Sequence, residues 1–455
     1  MDGFFKITER GSTVRTEVIA GFATWLTMAY ILVVNPQILT QVPDSAGTTL
    51  AFDQVVTVTA LAAGVLTLAM GLFTNYPFAM AAGLGLNAFV TFTLVATAGL
   101  TWPQAMGVIV IEGLVIAALV LTGFREAVLN AIPMDLKRAI GIGIGLFIAL
   151  IGLVDAGIVI QGEGTLVTLN PDLTSLNILT FAIGLAITGT LVAMRMKGAL
   201  LVGIIVTTIV AIVINAIADA QLWAEGVAEL PDKIAQAPDF SLIGDFSLDL
   251  FNGETIAVAT ALALIISVML SDFFDTMGTV IGVGGEAKLL TSEGKLPGIQ
   301  RVLFVDSLGA ALGGATSSSS NTTYIESAAG VSEGGRTGLT AVVVGLLFLL
   351  AMFFAPLPGI VPLEATAPVL VIVGYFMMSI VREIDWRDPG IGIPILLTMI
   401  VMPFTFSITN GVGAGFVSYT VIQLLRGRWK DVHWLLLVVS AVFVWYFLVG
   451  LNPLG

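Results

Sequence analysis

The chain has 455 residues, of which 57% are hydrophobic and 11% charged. Soluble domains carry about 25% charged residues, so this composition excludes a soluble globule and predicts an all-α polytopic membrane protein. The net charge of -13 excludes a nucleic-acid binder, and the absence of cysteine excludes disulfides and thiolate metal sites.

A membrane span needs about 20 apolar residues. On that measure, segments fall near 16–35, 54–73, 77–98, 104–122, 138–158, 176–194 and 199–218. The first ends at Asn35-Pro36 without a small-residue cleavage site and reads as a retained span rather than a signal peptide. An acidic stretch follows, from Asp219 to Glu254, with Lys233 as its only base. Further segments fall near 255–282, 299–314, 320–333, 337–355, 364–381, 391–408 and 410–425, and a last apolar piece covers 433–450. That piece reads as a further span, as an interfacial helix, or as a sign that 391–408 and 410–425 form one re-entrant unit.

Basic residues favour the cytoplasmic side. With the N-terminus inside, alternate loops collect every Lys and Arg except Lys233, from Lys6, Arg10 and Arg15 to Arg426, Arg428 and Lys430; Arg125 and Lys295 are among them. Seven segments before the acidic stretch and seven after it predict two halves inserted in opposite senses. Transporters built this way hold substrate where broken helices of the two repeats meet. The third and tenth segments should then correspond. The third runs AMAAGLGLNAFVTF and the tenth ATSSSSNTTYIESAAG, each with a small or polar front before a helix-like end. Close helix packing by small residues explains the third segment alone equally well. Taken as a pair, the two predict a short extended piece followed by a half-helix.

The polar run Ala315–Gly338 lies between apolar segments, and non-helical backbone at membrane depth survives only when buried in protein or lining a cavity. Glu326 is its acid, and an acid there marks a functional site. The eighth segment, ALALIISVMLSDFFDTMGTVIGVGG, carries Asp272 and Asp275 three residues apart, with Thr276 and Thr279 on the polar side. Asp275 reads as a substrate ligand and Asp272 as a structural acid. Asp306 reads either as part of a coupling site or as a structural bond to the tenth segment. Glu112 stands alone among apolar residues, as a structural acid that is protonated or faces another helix. Asp155 reads as a solvated carboxylate at the outer end of the fifth segment. No Gly-rich phosphate cradle is present, because no Lys-Ser or Lys-Thr follows the GLG pattern.

No Lys or Arg falls in a span near Asp275 and Glu326, so an inorganic anion meets repulsion there unless helix N-termini outweigh it. A neutral planar ring with several N–H donors suits two carboxylates. A carboxylate removed from water takes up a proton more readily, so one acid can bind the ring while another carries the proton. An anion exchanger on the same scaffold is the main competing reading. An intramembrane enzyme is a weaker one, because no span holds a histidine. No catalytic residue, cofactor or metal is expected.

The motifs FFKITERGSTVRTEVIAGFATWLTMAYILVVNPQIL, AAGLGLNAF, SDFFDTMGTVIGVG, VDSLGAALGGATSSSSNTTYIESAAGV and GGRTGLTAVVVG resemble the nucleobase–cation symporter-2 family, in its AzgA-like branch of adenine, guanine and hypoxanthine permeases. The resemblance covers essentially the whole chain. It implies proton-coupled import of purine bases across the plasma membrane by an elevator-like movement. It implies a core domain (1–135 and 255–356), a gate domain (136–220 and 357–455) that dimerises, and an extracytoplasmic loop (221–254). It places the base between the half-helices of segments 3 and 10, with Asp275 as the hydrogen-bonding acid of segment 8. Glu326 then matches the acid of segment 10, flanked by Tyr324 and Ile325 with backbone contacts, and Asn87 lines the site. Thr279 stands where uracil-type relatives carry His. Glu326, Asp275, Asp272 and Asp306 are the candidates for proton coupling.

Overall fold

The computed structural model describes residues 2–122, 132–218, 222–249, 256–291 and 296–449. Arg125, Lys295, Asp219 and Glu254, used above to read topology and charge, lie outside the described residues. The chain is a multi-pass membrane protein, mostly helical. In the first half α1 (Val14–Met28) runs on into α2 (Ile31–Leu39), followed by α3 (Phe52–Thr74), β1 (Met80–Ala82) and α4 (Leu84–Ala88). The last continues as a π-helix over Phe89–Thr97. Next come α5 (Trp102–Leu121), α6 (Met134–Asp155), β2 (Val159–Ile160), β3 (Thr168–Leu169), α7 (Leu176–Ala193) and α8 (Ala199–Ala218). The second half holds α9 (Val258–Glu286), α10 (Ile299–Ala315), β4 (Asn321–Thr323), α11 (Ser327–Ser332), α12 (Gly338–Ala351), α13 (Leu363–Met378), α14 (Pro389–Thr405), α15 (Ile408–Leu425) and α16 (Trp434–Val449). Among the described residues, 9 helices are long and apolar enough to cross a membrane.

Helix starts follow local chemistry. Thr101 and Gln104 form a reciprocal capping box at α5. Side-chain oxygens of Thr13, Ser175, Thr337, Asp388 and Ser407 cap α1, α7, α12, α14 and α15. A buried carboxylate, Glu17, accepts from the Arg336 and Thr337 amides at 2.9 and 3.2 Å and so closes the start of α12 as well.

The all-α expectation, which held two short extended pieces, is corrected in that these pair as strands and a second strand pair is present. β1 pairs with β4 antiparallel, Met80 opposite Thr323 and Ala82 opposite Asn321. These are the extended pieces expected in the third and tenth segments, and each is followed by a short helix. A second pair, β2 with β3, sits in the connection after α6.

Packing repeats between the two halves. α3 packs on α12 as α10 packs on α5, and α6 packs on α14 as α13 packs on α7. Likewise α1 packs on α12 as α9 packs on α5, and α8 on α13 as α15 on α6. Glycine makes the α3–α12 crossing possible, because a Cβ on Gly71 would lie 2.5 Å from the Gly338 carbonyl oxygen. At the related α5–α10 crossing, a Cβ on Gly314 would lie 2.7 Å from the Met106 carbonyl.

Connections collect at two ends. At one, the Arg10 guanidinium donates to the carbonyls of Asn75 and Arg336, and the Tyr76 hydroxyl donates to that of Pro297. At the other, Gln41 donates to Asp155, the Trp102 amide to Asp44, and Gln54 to Asp239. Asp155 is half-buried and bonded to Gln41, not simply solvated. α14 and α15 form a hairpin whose open ends are tied by Arg426 and Arg428 on Asp388. α16 runs antiparallel along α15, with Ser440 against Thr420 and Tyr446 donating to Asn410, and it packs on α9 as well.

Candidate functional site

A two-stranded sheet buried in the protein has two outer edges, and its amides and carbonyls cannot turn to water. Side chains close both edges here. On the β1 side, the Met80 amide donates to the Thr67 hydroxyl at 2.9 Å and that hydroxyl donates back to the Met80 carbonyl at 3.0 Å. On the β4 side, Asp306 accepts from the Thr323 amide and hydroxyl, both at 2.8 Å. Its other oxygen accepts from the Thr276 hydroxyl of α9 at 2.6 Å. Asp306 therefore joins α9, α10 and β4, which is the structural bond to the tenth segment read from the sequence. The ladder extends past the strands, with the Gly83 amide on the Ser320 carbonyl and the Tyr324 amide on that of Ala79. The serines before β4 turn sharply, Ser317 and Ser319 having positive φ of 56° and 73°.

Around this sheet the two acids singled out from sequence come together. Asp275 and Glu326 are within electrostatic reach of each other, and both act on Tyr30 and Tyr324. Tyr30, buried at the junction of α1 and α2, donates its hydroxyl to Glu326 at 2.7 Å. Tyr324 is buried and donates to the Ala82 carbonyl at 2.5 Å, so its ring is pinned across the two strands. Ile325 is 53% exposed, and its Cδ1 faces the space beside Gly282.

Asp275 is exposed although it lies in the interior of α9, whereas Asp272, Thr276 and Thr279 are buried. The two aspartates thus point to different surroundings, open for one and closed for the other. Gly278, Gly282 and Gly285 continue the exposed face from Asp275 toward the end of α9 at Glu286. At helical spacing these positions form one exposed stripe leading away from the acid. Asn87 is fully buried on α4, and neither atom of its amide has a hydrogen-bond partner. A buried amide with nothing to bond is costly and is suited to receive a polar ligand.

Two features escaped the sequence reading. Tyr30 had only the signal of a lone phenol in an apolar run. Lys137, assigned to a loop, lies in the first turns of α6 with its ammonium 5.5 Å from the centre of the Phe274 ring, next to Asp275. Lys137 thus lies inside the helix and not in a loop, and its contact is with the Phe274 ring. Helix α6 begins at Met134, which draws Lys137 inward.

Residues 15–414 match the profile of a permease family, Xan_ur_permease. The chain is 42% identical to adenine permease AdeQ of Escherichia coli K12, over 96% of this chain and 94% of that protein. It is 38% identical to guanine/hypoxanthine permease PbuG of Bacillus subtilis 168, over 98% and 99% respectively. The nucleobase transporter PlAzg2 of Paenibacillus larvae is 31% identical over 90% of this chain. Among solved structures, the transmembrane domain of the cyanobacterial bicarbonate transporter BicA superposes with a TM-score of 0.62 at 14% identity, covering 88% of this chain and 97% of that one. SLC26A9 gives 0.62 at 10% identity, over 91% of this chain and 66% of that one. The chain belongs to this permease family, the nucleobase–cation symporter-2 family, and shares its fold with those two transporters.

Proposed function

From that membership we infer that the chain imports purine nucleobases (adenine, guanine or hypoxanthine) together with protons across the plasma membrane. The observation that carries the reading is the meeting of Asp275 and Glu326, from different segments, on an open face beside the β1–β4 pair. Two carboxylates accept from the ring N–H groups of a neutral purine and, in adenine and guanine, from the exocyclic amine. Asn87, Tyr324 and the backbone at Ile325 complete the recognition surface, and Thr279 supports it from the buried side of α9.

The repeated packing supports a seven-plus-seven inverted repeat, in which 1–135 and 255–356 form a core, 136–220 and 357–455 a gate, and 221–254 an outer loop. The sorting of connections to two ends supports the alternating topology with a cytoplasmic N-terminus. The open stripe from Asp275 runs toward the end of α9, on the side of the basic loops, so the site faces inward. An elevator-like movement of core against a dimerised gate then carries the base across.

The likeness to BicA and SLC26A9 favours an anion as the second reading, but two carboxylates at the site oppose it. The experiment is uptake of labelled adenine, guanine and hypoxanthine into cells lacking base transporters. Uptake is expected to collapse with a protonophore and in Asp275→Ala and Glu326→Ala. Wild-type uptake by both variants would remove the assigned site, and bicarbonate- or chloride-driven flux with no purine uptake would establish the anion reading.

A further inference from the structure

A second acidic group lies behind this site. Glu112 of α5 and Asp272 of α9 are both fully buried and face one another within hydrogen-bonding reach. As carboxylates both are acceptors only, and among the described residues no donor is aligned on any of their four oxygens. The Ser320 hydroxyl, also fully buried and without an aligned partner, lies beside Glu112. Thr322 on β4 reaches Asp272, and its hydroxyl lies 2.7 Å from that of Thr276. The other titratable group acting on both acids is Asp306 of α10, which is itself an acid. Among the described residues, the groups named on either acid include no Lys, Arg or His.

Two acceptor-only groups in contact form a hydrogen bond only if one of them carries a proton. We propose that Glu112 and Asp272 form the coupling-proton site, a carboxyl pair that shares one proton and is separate from the acids that hold the base. The proposal rests on the proton-coupled reading above and names the residues that perform it. The only bond made on loading is one O–H, and the same bond breaks on release to the other side. The link to the base runs through β4. Ser320 and Thr322 touch the pair, and the strand leads directly into Tyr324 and Glu326. With the proton bound, α5, α9 and β4 are held together; without it, two negative charges face each other across their junction.

The test uses full-length protein in proteoliposomes with an imposed pH gradient and whichever of the three labelled purines the wild type takes up. Glu112→Gln and Asp272→Asn each replace one acid by an amide that donates permanently. Both variants are expected to keep purine counterflow near the wild-type rate. Both should lose accumulation above equilibrium and lose base-dependent proton influx, read with a trapped pH dye. Infrared difference spectra with and without base should also lose the carbonyl stretch of a protonated carboxyl in both. Gradient-driven accumulation that survives in either variant would overturn the proposal. So would variants that purify as single, thermally stable species yet lose counterflow and base binding together, because the pair would then be structural. Wild-type accumulation that requires sodium at a fixed pH gradient would also overturn it. A wild type that moves no purine refutes the transport reading instead.

Discussion

Asp306 is a candidate for proton coupling, and its geometry also gives it a structural duty that a pair of substitutions can test. Asp306→Ala removes the acceptor for the Thr323 amide, the Thr323 hydroxyl and the Thr276 hydroxyl. A hydrogen bond to a charged group contributes about 1.5–3 kcal/mol, and an orphaned buried donor costs about 1–3 kcal/mol. The losses do not simply add. The Thr276 and Thr322 hydroxyls already lie 2.7 Å apart and can satisfy each other, and the Thr323 hydroxyl can rotate. The Thr323 amide cannot move without breaking the β4 register. The net cost is therefore about 3 kcal/mol, or about 150-fold in any equilibrium that needs β4 in place. Asp306→Asn keeps one oxygen on the Thr323 pair and offers an NH2 that the Thr276 hydroxyl can accept, so its cost is about tenfold or less. Titration of purified protein with purine measures both. Wild-type affinity in Asp306→Ala would refute the reasoning. So would equal damage from Ala and Asn, because the charge and not the scaffold would then matter.

Tyr30→Phe removes one donor to Glu326 and is expected to weaken purine binding by about tenfold, measured by the same titration, with stability unchanged. Asn87→Ala should weaken binding without lowering the melting temperature, because its amide makes no bond within the protein. Gly313→Ala would drive its Cβ into the Ser319 carbonyl and the Asn321 side chain, so it should yield little folded protein by fluorescence-detected gel filtration. The chain has no cysteine, which makes Gly282→Cys a clean probe. A membrane-impermeant thiol reagent should label it from the cytoplasmic side only, and purine should slow the labelling.

Much of the centre was legible because its signals are local. A Ser/Thr/Asn run between apolar spans cannot be a continuous buried helix, and the Gly83–Gly85 spacing repeats that break in the first half. The pairing of those two pieces into one sheet is a tertiary contact that no local signal announced. Other features required tertiary contact. Tyr30 lies 296 residues from Glu326, and nothing near it in sequence distinguishes it from a membrane-facing phenol. Thr67 reads as an ordinary helix residue until β1 presents its open edge. Glu112 looked isolated because its partner is on another helix, and Asp272 looked like a neighbour of Asp275 because a spacing of three residues does not say which side is buried. Helical windows also hid the π-helix at Phe89–Thr97, since apolar composition does not distinguish it from an α-helix.

The fold shared with a bicarbonate transporter leaves the cargo to be decided by charge at one point. On the proposed reading, helices and strand pair supply a scaffold in which a ligand meets segments from both halves, and the side chains at Asp275 and Glu326 set what can stay there. If carboxylates exclude anions, removing them should relax that exclusion before it creates any new affinity. Asp275→Asn with Glu326→Gln keeps the hydrogen-bonding shape while deleting both charges. The double variant is expected to lose purine uptake, because each amide can present a donor where the ring also donates. It should also admit bicarbonate or chloride at a low rate that wild type does not show, measured as flux into proteoliposomes. Purine transport that persists in the double variant would mean that shape and not charge selects the base. An anion flux already present in wild type would mean that the two acids do not guard the path.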